Sequence, residues 1–122
     1  MSFANVPVTM INAVDTVTQT GPPVFTGQIF AGSFTMTFGD TSVAGSVQIQ
    51  GSNETASRSN LSTYVPSSGS WNNIPGASST IAAGVGPAIV LPTLNFQYIR
   101  AVFTYVSGGS STVQVLGNLF ST

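Results

Sequence analysis

The sequence predicts an all-β domain, an antiparallel β-sandwich of jelly-roll-like form with about eight strands. Three observations predict it. Apolar and polar residues alternate at period two in several stretches. No useful window carries apolar residues at the three- and four-residue spacing of a helix. Gly and Pro, 13 and 7 in number, interrupt nearly every window, as strands joined by turns require. No internal repeat or linker divides the 122 residues, so residues 1–122 are expected to form one domain.

Taken in order, residues 6–11, 14–18 and 24–30 are short strand candidates. Phe34, Met36 and Phe38 alternate with Ser33, Thr35 and Thr37, which predicts a strand with one greasy face. Val47 and Ile49 alternate with Gln48 and Gln50 between Gly45 and Gly51. The segment 51–70, GSNETASRSNLSTYVPSSGS, is the exception: a long Ser- and Asn-rich loop with Leu61, Tyr64 and Val65 as its apolar anchors. Loops of this length are uncommon in compact domains and are usually functional or disordered, and the two readings of this one are a tolerated surface insertion and a dedicated binding loop. Strand candidates resume at 78–82 and 88–91. In 97–106, Ile99, Ala101, Phe103 and Tyr105 point one way, and Tyr98, Arg100, Val102 and Thr104 the other. Bulky groups on both faces predict a central strand covered on both sides. Ser107-Gly108-Gly109-Ser110 tolerates positive φ, and a hairpin to 112–120 is expected. In that last strand Val113, Val115, Gly117 and Leu119 share a face opposite Thr112, Gln114 and Asn118.

The charge count excludes most chemistry. Five residues are charged, Asp15, Asp40, Glu54, Arg58 and Arg100, and there is no Lys, His or Cys. No Schiff-base or P-loop lysine exists, nor a thiol nucleophile, a Ser-His pair or the usual zinc ligands. Two arginines cannot supply the phosphate contacts of nucleic-acid binding. The longest apolar stretch, 82–91, is too short and too broken by Gly84, Gly86 and Pro87 to span a membrane, and the N-terminus carries no visible secretory signal. Synthesis in a cytoplasm is therefore expected, with no lipid anchor. Disorder does not account for the low charge, because 42% of the residues are hydrophobic. The surface must be built from Ser, Thr, Asn and Gln, and at a net charge of -1 such a surface favours association. A source that favours neutral, hydroxyl-rich surfaces would leave the same composition.

Three scattered carboxylates do not argue a hydrolase; a glycosidase, for one, needs two at a set separation, and sequence cannot place Asp15, Asp40 and Glu54 near each other. No cofactor and no catalytic residue is expected. Asp40, in Phe38-Gly39-Asp40-Thr41, reads as an Asx-type turn, with a calcium site of Asp and loop carbonyls as the alternative. Arg100 calls for a carboxylate partner or loop carbonyls to cap. Tyr64 and Trp71 are the candidate ligand or interface residues, since exposed aromatics on β-sandwiches stack on sugars and Trp is enriched at interfaces. Trp71 as partly buried core is the competing reading. Asn53-Glu54-Thr55 and Asn60-Leu61-Ser62 match glycosylation acceptors, and are read as chance matches in a Ser/Thr-rich loop.

From Val24 onward the features fall in a definite order: GSVQIQGSN at 45–53, WNNIPGAS at 71–78, YIRAVFTY at 98–105, then SGG and a closing strand. This order resembles that of small β-sandwich proteins encoded among bacteriophage structural genes, in which a VxVQGSND strand end, a W..IPG stretch and a YRYIRVVYT..SGTG segment follow one another. Here Glu54 stands where Asp is commoner, and the loop before Trp71 is longer. The resemblance implies a non-enzymatic virion protein, and brings no catalytic residue with it. It points to a capsid decoration, cement or other capsid-associated role, as a homo-oligomer with copies of itself and other virion proteins as partners. A carbohydrate- or receptor-binding module of a tail fibre or spike, using Tyr64, Trp71 and the 51–70 loop, is the alternative. Assembly would bury neutral faces, with backbone pairing at strand edges, and would change little with salt.

Overall fold

The computed structural model describes residues 4–27, 29–54 and 63–121. Among the described residues nine strands follow in chain order: β1 (Ala4–Val14), β2 (Gln19–Thr20), β3 (Val24–Phe25), β4 (Ile29–Phe38), β5 (Ala44–Ser52), β6 (Asn72–Ile81), β7 (Ile89–Leu91), β8 (Tyr98–Ser107) and β9 (Thr112–Ser121). They form two antiparallel sheets, one of four strands in the order β1-β9-β4-β7, the other β2-β8-β5-β6 with β3 also on β8. With β2 and β3 counted as one interrupted strand, the pairing is nested: β1 with β9, β2/β3 with β8, β4 with β7, β5 with β6. Such nesting is the wrap of a jelly roll. No helix among the described residues is long and apolar enough to cross a membrane.

The period-two reading holds along the main strands. Phe34 from β4, Val47 and Ile49 from β5, Phe103 from β8, and Val113, Val115 and Leu119 from β9 are buried between the sheets. Each large side chain of this set adds about 1.5–3 kcal/mol of burial. Gly117 belongs to the pattern as a space: a Cβ there would lie 3.0 Å from the Phe34 ring, which fills the gap.

The structure corrects several local expectations. Residues 97–106 and 112–120 are not a hairpin, because β8 and β9 lie in different sheets. Gly108 and Gly109 do take positive φ, +75° and +83°, but the turn they make carries the chain across the sandwich. Turn chemistry sets the local bend, whereas the nested wrap decides which neighbour each strand meets. Residues 14–18 are not a strand: β1 ends at Val14, and a turn follows. Residues 24–30 are interrupted after Phe25, where the Ile29 N–H donates to Thr26 O (2.9 Å) and the Thr26 hydroxyl to Phe96 O (2.6 Å). Strand β8 is central, between β5 and β2/β3, but its outer face is covered at one end only, Thr104 and Val106 being exposed.

The sheet edges are blunted. Strands β2, β3 and β7 have two or three residues each. Strand β6 slips register between Asn73 and Ser78, where Pro75 and Gly76 (φ +76°) lie. Strand β1 contains Pro7, which has no N–H, and a bulge at Met10, whose carbonyl oxygen would sit 1.9 Å from a Cβ on Gly21. Short strands, Pro and bulges are how natural sheets resist edge-to-edge pairing. The outer face of the four-stranded sheet is open by contrast. Its rows run Asn12–Gln114–Thr37 and Thr9–Leu116–Thr35, with Val14 and Phe120 towards its two ends, and no ionisable side chain occurs on it among the described residues.

Candidate functional site

The two residues singled out by sequence, Tyr64 and Trp71, meet the same strand from the same side. Tyr98 and Arg100 are two apart on β8, so both project from the outer face of the five-stranded sheet. The Tyr64 ring packs on Tyr98 at 6.1 Å between centroids, and Phe25 packs on Tyr98 from β3 at 5.4 Å. One step along, the Arg100 guanidinium lies over the Trp71 ring, 4.4 Å from its centroid. Together these groups make an aromatic ledge, half-buried at Tyr64 and Trp71.

Backbone register supplies the polar border of the ledge. Gln50 is paired with Arg100 on one side and Asn73 on the other. The Arg100 Nε–H donates to Gln50 Oε1 (2.8 Å), and Gln50 Nε2 donates to Asn73 Oδ1 (2.9 Å). Arg100 thus finds an amide and an indole, where sequence reasoning looked to a carboxylate or to loop carbonyls. Partial burial lowers its pKa from the ordinary guanidinium value.

Glu54 holds the return of the long loop. The Tyr64 hydroxyl (2.5 Å) and the Ser67 N–H (2.7 Å) donate to its Oε1, and the Ser67 hydroxyl (2.6 Å) to its Oε2. These bonds, Ser67 first, pull the Glu54 pKa below the usual carboxylate value, and the same contact raises that of Tyr64. Ser52 Oγ accepts from the Glu54 N–H (3.2 Å) and donates to Ser70 Oγ (2.9 Å). Pro66 is buried, whereas Val65, expected as an anchor, is 69% exposed. A short 3₁₀ turn, Ser68–Ser70, delivers the chain to Trp71. Arg58, Leu61 and the Asn60 acceptor lie outside the described residues.

Gln48, which sequence reasoning treated only as the polar half of an alternation, joins the β5 motif to the W..IPG stretch. Its Nε2 donates to the carbonyls of Ile74 (3.2 Å) and Ala77 (3.2 Å), inside the β6 irregularity, and of Ile49 (2.8 Å). The signal was the spacing of two motifs, but pairing between them is visible only in the fold.

At the far end, Asp40 is the expected Asx turn: its Oδ1 accepts from the Ser42 N–H (2.7 Å) and hydroxyl (2.6 Å), and its Oδ2 from the Ser110 hydroxyl. Those bonds, Ser110 first, lower its pKa to about 2. Asp15 is buried behind the same crossover, with Oδ1 accepting from the Ser111 N–H (3.2 Å) and Oδ2 unpartnered. Among the described residues no group of three or more His, Cys, Asp or Glu is placed to hold a metal ion.

Fold and ledge together define a jelly-roll sandwich domain with Tyr64 and Trp71 packed on the outer face of one sheet. Among solved structures, the SPBc2 prophage-derived protein YomS is similar to it, with a TM-score of 0.62 and 14% identity, over 99% of this chain and 96% of that one. At that identity the likeness concerns the fold. No family model matches the chain, and no curated protein does.

Proposed function

We propose that this protein is a non-enzymatic structural component of a bacteriophage virion, most simply a capsid decoration, cement or other capsid-associated protein, working as a homo-oligomer or against other virion proteins. The observation that carries the assembly half of this reading is the outer face of the four-stranded sheet, which has no ionisable side chain among the described residues. The phage half is supported by the end-to-end fold likeness to a prophage-derived protein and by the order of motifs from Val24 onward. Both Gln48 and Gly76 serve the β5–β6 pairing, so those motifs read as architecture and not as chemistry. Quantitative mass spectrometry of purified virions tests the proposal. Hundreds of copies per particle are expected of a decoration protein, tens would point to a fibre or spike, and absence from the particle would overturn the reading.

The ledge favours a second reading, a carbohydrate- or receptor-binding module. The half-buried Trp71 indole and Tyr64 phenol, with the amides of Gln50 and Asn73 on the same sheet face, are groups that stack on and hydrogen-bond to sugars. Its test is a glycan array with the protein and its Trp71→Ala variant. Binding lost in the variant supports it; equal binding by both, or none by either, removes it.

A further inference from the structure

Every edge of this sandwich is blunted, and the outer face of the five-stranded sheet carries Arg100 and is covered at one end by Tyr64 and Trp71. The outer face of the four-stranded sheet is open along its length and has no ionisable side chain among the described residues. We infer that this face is where a second copy of the same chain docks, face to face across a two-fold axis; the inference rests on the structural reading above and names its contact surface.

Charge and area argue for a second copy as the occupant. A face without ionisable groups meets its own copy with no like-charge repulsion, and an isologous contact demands only that the patch complement itself. It offers no charge pattern to a charged partner. Its most exposed apolar points, Val90 at 66%, Val14 at 56% and Leu116 at 36%, sit among Ser, Thr, Asn and Gln, a mixture typical of non-obligate interfaces. Strands of 10 or 11 residues, at about 3.4 Å per residue and about 4.8 Å between strands, give a footprint of roughly 500–600 Å² per copy. Two copies would bury roughly 1,000–1,200 Å², the lower bound for a specific interface. A weak, concentration-dependent dimer follows, reinforced when many copies are held on one particle.

Sedimentation equilibrium of the full chain from about 1 to about 500 µM tests this. A monomer–dimer equilibrium is expected, weakened about tenfold or more by Thr35→Lys, which places two charges at the centre of the joint. Thr9→Lys, in the same row, is the second variant should Thr35→Lys fail to fold, and thermal unfolding reports folding for each. Val106→Lys, on the outer face of the other sheet, is expected to leave the dimer unchanged. A monomer at all concentrations, a dimer indifferent to both row variants, or one lost equally in Val106→Lys would overturn the inference. A monomer found in hundreds of copies per virion would sink this inference alone, and a dimer absent from virions would sink the virion reading alone.

Discussion

Without the Gln48 amide, the carbonyls of Ile49, Ile74 and Ala77 lose a donor at a place where β6 has left its regular ladder. Leaving buried acceptors unsatisfied costs about 1–3 kcal/mol. Gln48→Leu, close in size, is therefore expected to lower stability by about 2 kcal/mol in urea unfolding; a change below about 0.5 kcal/mol would show that water replaces the amide. Gly109 is the other single-residue constraint. At φ +83° its Cβ would meet the Asp15 carboxylate oxygens at 2.7 and 3.0 Å. Gly109→Ala is expected to destabilise by more than about 1 kcal/mol, since both strain and collision oppose it. Asp40 sets the acid limit. Its folded pKa of about 2 lies below the ordinary 3.8, so its contribution is fully present above about pH 4. That contribution is lost as pH falls from 3.8 through about 2, and Glu54, shifted the same way, adds to the loss. Thermal unfolding followed from pH 7 to 2 should show this fall, and Asp40→Asn should make it shallower. An identical profile in the variant would remove Asp40 as a cause.

Among the elements, strands that alternate cleanly were legible in the sequence. The inward sets of β4, β5 and β9 are those that periodicity names, because burial of one face leaves a period-two trace. Where chains cross between sheets the sequence is silent. The two glycines after β8 say that the chain turns, but they cannot say that β9 belongs to the opposite sheet, since that depends on pairing β9 with β1 more than ninety residues away. The candidate site was half legible. Tyr64 and Trp71 stood out as aromatics around a long loop, yet their partners Tyr98 and Arg100 were assigned to a strand with no hint of contact. Trp71 is the chain's one tryptophan, so its fluorescence reads the ledge directly. Arg100→Ala removes the cation over the ring and is expected to change emission intensity and wavelength, with a stability loss of about 1 kcal/mol. Unchanged emission would mean that the stack does not persist in solution.

For the whole molecule, the scarcity of charge acquires a location. Among the described residues, Asp15 and Asp40 pin the crossover after β8, Glu54 clasps the loop, Arg100 supports the ledge, and the outer face of the four-stranded sheet is left neutral. Composition alone announced low charge and could not say which surface it would leave bare. A contact made by such a face rests on buried area and uncharged hydrogen bonds, which Debye screening barely touches. The most direct test is the sedimentation coefficient of the assembled protein at fixed concentration, as salt is raised from about 50 mM to about 1 M. The account predicts an assembly unchanged across that range; dissociation on raising salt alone would contradict it.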